Sequence, residues 1–361
     1  MTKTEMPMAH YFQRLGWASL HVLMFAILAS ILGPATVSIA EAETVVFAGW
    51  GGSIQQGQRE VYFDSFEKAT GIKVIDVAGV SLPKIKAMVE TGNIEWDVVQ
   101  SLGMWLKPGE AAGYWEDLDY KTIDKSGVPD FLVRPHAIGN TMYGMVMAYN
   151  TKGFKSGKEP KSWQDYWNVQ GFQGRRGMLD APRYTLEVAL LAVGTPKDKL
   201  YPLDVDKAFA SLDKIKGKID VWWKQWPQAP QLLASQEIVM TLTSHTRIHD
   251  LQKNEKAPVA MSWNNSLLTV DNLSVIKGTK NKDAAMKLVN WMTRPDLQAE
   301  FAKKTAIGPV NQKALEPLSE QEKESLPTYH YAKGEMVAVD NDWWAANLDK
   351  MEERWNSWKL Q

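Results

Sequence analysis

Few side chains in this sequence could hold a small charged molecule: Asp180 in MLDAPRYT, Asp271 in LLTVDNLS, Arg247 in SHTRIH and Trp50 in FAGWGGS. A carboxylate in a partly dry cleft attracts an ammonium group with little screening. An indole face adds a cation–π attraction on the order of 0.5–2 kcal/mol. A guanidinium offers its planar fork to a carboxylate. Asp180 and Asp271 both fall at the ends of expected elements, where a cleft would open, although a helix cap or a surface turn would use either equally well. Arg247 also suits a solvated position on a helix.

The stretch GWGGS, Gly49 to Ser53, closes an apolar run and precedes a helical pattern. Gly51 and Gly52 allow backbone to lie close to a ligand. Ser53 could cap the helix, and Trp50 offers a ring face. The competing account is a plain strand-to-helix turn with Trp50 packed inward.

Signatures of catalysis are missing: GxSxG, GKS/GKT and HExxH do not occur. The six histidines are His10, His21, His136, His245, His249 and His330. His245 and His249 have the spacing of a helical metal pair, but no third ligand accompanies them at matching spacing. No metal and no cofactor are expected. An enzyme on this chain would have to pair Asp180 with Asp271 as acid and base. The absence of Cys excludes disulfides, thiolate metal sites and a lipidated cysteine anchor, and fits an exported bacterial protein better than a disulfide-stapled domain.

These residues need elements to position them. TVVFAGW reads as a strand, REVYFDSFEKATG as a helix stopped by Gly71, IKVIDVAGV as a strand, LPKIKAMVETG as a helix and WDVVQS as a third strand. That alternation predicts a parallel sheet with helices on both faces. Open α/β sheets bind ligands beyond the carboxyl ends of their strands, which is where GWGGS sits. Further on, RRGMLD starts a strand, TLEVALLAVG and VDKAFASLDKIKGKI are helices, and EIVMTLTSHTRIHDLQ is strand, turn and helix. APVAMSW and TVDNLSVIKG read as two strands. NKDAAMKLVNWMTRPDLQAEFAKKTA is a helix pair broken at Pro295, and DWWAANLDKMEERWNSWKLQ is an amphipathic closing helix.

A length of 361 residues suits two lobes better than one core. A formal net charge of −1 argues against nucleic acid as a partner. Sixteen Trp exceed what ligand contact alone needs, so many must be core. Lys3 and Arg14 precede the uncharged stretch Leu15 to Ala40, which ends in small residues; residues 1–42 therefore read as a secretory signal peptide, with cleavage after Ala40 or Ala42 and a periplasmic destination.

In this order, GWGGS, YFDSFEKATGIKV, WDVVQS, AYNTKGF, PKSWQDYW, FQGRRGMLD, VDNLSVIKGTKNKDAAMKLVNWMTRPDLQAEFA and TAIGPVNQKAL resemble the periplasmic substrate-binding proteins of ABC transporters, specifically the spermidine/putrescine-binding family. The resemblance implies an α/β, two-lobed periplasmic-binding-protein fold of type II. Each lobe would be a central mixed sheet flanked by helices, the two joined by a hinge. Lobe 1 would be 43–148 plus 270–308 and lobe 2 would be 149–269 plus 309–361. It also implies a monomer that closes over a small amine such as putrescine or spermidine and presents it to a membrane permease with its ATPase. Trp50 matches the family's ring after the first strand, Met104 or Trp105 the ring after the third, and Asp271 its carboxylate; Asp180 lies in a loop that supplies another acid. The departures are Gly52 and the vicinity of Tyr184 where acids are expected, Thr243 where a ring is expected, and Arg247 nearby. They suit a zwitterionic amino acid, a γ-amino acid or an opine-like ligand held by Arg247 at least as well as a polyamine.

Overall fold

The computed structural model describes residues 43–361; the expected signal segment, 1–42, lies outside them. Eleven strands are present among the described residues: β1 (Thr44–Gly49), β2 (Lys73–Ala78), β3 (Val98–Leu102), β4 (Val133–Arg134), β5 (Ala137–Asn150), β6 (Arg176–Leu179), β7 (Val221–Trp223), β8 (Met240–Ser244), β9 (Val259–Val275), β10 (Gly308–Pro309) and β11 (Met336–Ala338). The β-branched and aromatic runs seen in the sequence form β1, β2 and β3. Helices separate them, ending at Gly71 and Gly92, which both take left-handed φ. The first of these helices starts earlier than its apolar spacing suggests, at Gly52. It passes through a π-helical turn, Arg59–Phe63, that helps bring Tyr62, Phe63 and Phe66 into the core.

The sheet order is β2-β1-β3-β9-β5-β8-β6-β7. The parallel arrangement expected from residues 44–101 holds for β1 with β2 and β3, and β6 is parallel to β7 and β8. β9 runs antiparallel to both β3 and β5, so the sheet is mixed. The architecture is α/β and two-lobed, with a β1–β3 half and a β6–β8 half. The two halves share one continuous ladder, because β5 and β9, of 14 and 17 residues, run through both. Residues 43–361 consequently pack as one compact unit.

β9 was expected as two strands. Its pairing steps from Met145↔Leu267 to Met147↔Ser262, so Trp263–Ser266 bulge out while the ladder continues on either side. Asn265 in the bulge has φ +53. The polar Asn264-Asn265 pair interrupts the apolar run without ending the strand. The displaced Trp263 ring lies across Gly144, where a Cβ would stand 2.6 Å from it, and stacks on His330 at 4.2 Å.

The long helix Asn341–Leu360 closes the chain. Its buried indoles each donate to a carboxylate of the β6–β8 half: Trp344 to Glu187 at 2.7 Å, Trp355 to Asp180 at 3.0 Å and Trp358 to Asp213 at 2.7 Å. Trp163, Trp223 and Trp344 are fully buried, the core use expected for this residue type. Trp50 and Trp226 are exposed.

Candidate functional site

Residues two apart on a strand share a face. Thr269 and Asp271 therefore point the same way from β9, and Thr141 and Tyr143 from β5. The register sets Thr141 opposite Asp271 and Tyr143 opposite Thr269, with Leu102 of β3 across from Asp271 on the other side. Two residues back on β3, Gln100 joins the same face. Its Oε1 accepts from Gln58 Nε2 at 3.2 Å, which turns its NH₂ group toward Asp271 Oδ2 at 3.2 Å.

Asp271 is only 5% exposed. Burial pushes its carboxyl up to about 7, against the opposing pull of Trp50, Arg183, Gln100 and Tyr143. Tyr143 is itself buried, and burial together with the nearby Asp271 charge holds its phenol protonated. Trp50 Nε1 donates to Asp271 Oδ2 at 2.9 Å. This bond orients the indole, which stays 38% exposed and meets Trp105 with ring centroids 5.7 Å apart. A shielded acid bonded to an indole that packs on a second ring suits an ammonium group.

The turn that delivers Trp50 depends on its glycines. Gly51 has φ +78 and Gly52 φ +68, and a Cβ on Gly51 would stand 2.9 Å from that of Ala78. Gly51 N donates to Gln55 Oε1 at 2.8 Å. Ser53, expected as the helix cap, is an exposed residue within the helix; Gly51 takes the cap position and no side chain caps it. The chain turns sharply enough there that the helix begins one residue before Ser53.

From the other half comes a second strained turn. After β6, Arg183 takes ψ 135 and Tyr184 φ 71 before regular helix resumes. Left-handed backbone at a buried Tyr costs on the order of 1–3 kcal/mol and persists only where surroundings enforce it. Tyr184 lies close enough to Thr269 and Asp271 for both to act on its phenol, and Trp226 meets its ring at 6.4 Å. The Arg183 guanidinium lies 4.7 Å from the centroid of the Tyr184 ring and donates from Nη2 to Asn341 Oδ1 at 2.8 Å. Its buried Nε has no hydrogen-bond partner, and its charge acts on the buried Glu187. Its positive charge is felt at Asp271.

The structure thus gathers Trp50, Trp105, Tyr184 and Asp271, and adds Gln100, Thr141, Tyr143, Arg183, Thr269 and Trp226. Alternation along β9 points to Thr269, and Arg183 stands beside Tyr184 in the sequence; no local pattern singles out Tyr143. Asp180 is placed elsewhere: it accepts from Trp355 of the closing helix and lies within 4 Å of the ammonium groups of Lys224 and Lys359. Arg247 is in the first turn of the helix His245–Asn254, half-buried, with burial lowering its pKa and the nearby Asp250 charge opposing that. His245 is fully buried, with Nδ1 accepting from Gly144 N at 3.0 Å and Nε2 2.9 Å from Ala306 O, so it ties β5 to the end of the helix Pro295–Thr305.

A family model described as bacterial extracellular solute-binding protein matches residues 62–328. The γ-aminobutyric acid-binding protein of Pseudomonas aeruginosa is 35% identical over 99% of both chains. A solved γ-aminobutyrate receptor superposes with a TM-score of 0.80 at 35% identity, covering 88% of this chain and 98% of that one. The spermidine/putrescine-binding periplasmic protein 1 of Haemophilus influenzae is more distant, 27% identical over 72% of each chain.

Proposed function

The chain belongs to the bacterial extracellular solute-binding proteins, and from that premise we propose that its cleft captures a small zwitterion bearing one amine and one carboxylate, of the γ-aminobutyrate class. Members of this family are receptors of ABC importers and not enzymes. The observation that carries the ligand class is that Asp271 feels the charge of Arg183, whose buried Nε has no hydrogen-bond partner and whose guanidinium lies over the Tyr184 ring. Asp271 under Trp50 and Trp105 takes the ammonium, and Arg183 over Tyr184 takes the carboxylate. A polyamine, the ligand first expected, would set one of its cations against Arg183. The γ-aminobutyrate proteins are also the nearer relatives in identity and coverage.

On this reading the halves behave as hinged lobes, 43–148 with 270–308 and 149–269 with 309–361, closing on a monomer. Gly51, Gly52 and Ser53 form the lip of the cleft, residues 1–42 direct export to the periplasm, and the closed form docks on a permease with its ATPase. Arg247 and Asp180 become supporting residues of the second lobe.

Thermal unfolding of the purified mature chain against γ-aminobutyrate, β-alanine, 5-aminovalerate, putrescine, spermidine and an opine tests the ligand class. A true ligand at a hundredfold excess over Kd adds about 2.7 kcal/mol. Stabilisation by an ω-amino acid and not by putrescine is expected; stabilisation by diamines alone would reject it.

A further inference from the structure

The first turn of the closing helix does something different from the rest of it. From Trp343 onward the helix is tied to the β6–β8 half through Tyr201, Glu187, Asp180 and Asp213. Asn341 and Asp342 instead reach the other half. Asp342 pairs with Lys107 at 3.0 Å and approaches Arg134 at 3.6 Å. Asn341 sits on Gly103, the first residue of the helix that follows β3; a Cβ there would stand 2.6 Å from Asn341 Cγ and 3.1 Å from Asn341 Cβ. Asp340 fixes this turn by accepting from the backbone N–H groups of Asp342 and Trp343.

Asn341 is at the same time the hydrogen-bond partner of Arg183. One side chain therefore touches the β1–β3 half at Gly103 and orients the guanidinium of the β6–β8 half. We propose that Asn341 and Asp342 form a latch that holds the two halves together, and that Asn341 is a positioning residue aiming Arg183 at the ligand carboxylate. The second part rests on the zwitterion reading above; the first does not. Closure seats Asn341 on Gly103, aims Arg183 and brings Asp342 to Lys107 in one movement, so ligand capture and lobe closure reinforce each other. Gly103 is needed because any side chain there would occupy the seat of Asn341.

The chain contains no Cys, so Gly103→Cys with Asn341→Cys introduces its only thiols. The 3.1 Å between the built Cβ and Asn341 Cβ is shorter than the roughly 3.5–4.5 Å of a disulfide, so the two backbones must part by a few tenths of an ångström as the bond forms. Under mild oxidation of the ligand-free protein, the cross-link is expected to form. The oxidised protein should then keep one compact radius of gyration by X-ray scattering, with or without γ-aminobutyrate, until reduced. Thiols that stay unreacted, or a cross-linked protein that still expands and contracts, would overturn the latch.

The positioning role has its own readout. Asn341→Ala should weaken γ-aminobutyrate about tenfold yet leave n-butylamine, which lacks the carboxylate, within twofold. Asn341→Asp should weaken γ-aminobutyrate further by giving Arg183 an internal carboxylate. Equal losses for both ligands would refute positioning. If the wild-type chain ignores γ-aminobutyrate altogether, the ligand reading and the positioning role fail, while the cross-link result still decides the latch.

Discussion

The indole of Trp50 is tied to the carboxylate of Asp271 by a 2.9 Å hydrogen bond that joins residues 221 positions apart. Both Trp50 and Gln100 donate to the same oxygen, Oδ2. An asparagine at this position could keep that acceptor while losing the charge.

Asp271→Asn should stabilise the empty protein and abolish amine binding. The carboxyl of Asp271 is raised in the folded state from 3.8 to about 7. The folded chain therefore holds a proton that the unfolded chain has released, and stability falls as pH rises from about 4 to 7. At 1.36 kcal/mol per pH unit the cost above pH 7 is up to about 4 kcal/mol. Calorimetric unfolding at pH 8 should show the Asp271→Asn variant melting several degrees higher than the parent chain, with the difference shrinking toward pH 4. A variant that melts lower at pH 8 would contradict the burial account.

Ligand affinity should fall on acidification. A primary ammonium stays charged through neutral pH, near the lysine value of about 10.4. Asp271 must be ionised to attract it, so below about 7 each pH unit should raise Kd by up to tenfold, and above 8 affinity should level off. Titration calorimetry between pH 5.5 and 8.5 should also detect proton release on binding at the acid end. A flat profile would remove Asp271 from the amine site.

The two arginines should separate cleanly. Arg183→Ala removes a charge-assisted contact to carboxylate and should cost γ-aminobutyrate roughly 2–4 kcal/mol, or 30-fold and more. Arg247→Ala should change Kd less than about threefold, because Arg247 sits on the helix His245–Asn254 with Asp250 as its neighbouring charge. The reverse ranking would restore Arg247 as the carboxylate ligand.

Local chemistry made part of this molecule readable. The run into GWGGS announces a strand meeting a turn, and Gly51 and Gly52 do adopt conformations that glycine alone takes freely. Asp271 stands out as an acid in a β-branched run. The remainder depends on distant partners. Asp180 has the same local look as Asp271, and only the closing helix, by bringing Trp355, shows what it bonds. Arg183 and Arg247 are indistinguishable by type; a left-handed Tyr184 stands beside the one that reaches Asn341, and no composition rule foretells positive φ at a Tyr. β9 reads as two strands because Asn264-Asn265 breaks its pattern, whereas pairing with β5 on both sides of the bulge makes it one.

β9 lies between β3 and β5, yet it follows the end of β5 by 109 positions, from Asn150 to Val259. Until those residues have been synthesised, β3 and β5 have no common neighbour and the two rows of unpaired amides and carbonyls stay open. Pairing of this separation is slow to form. The β3 and β5 edges therefore cannot be joined until most of the chain has been made, an order of assembly that suits a polypeptide exported before it folds.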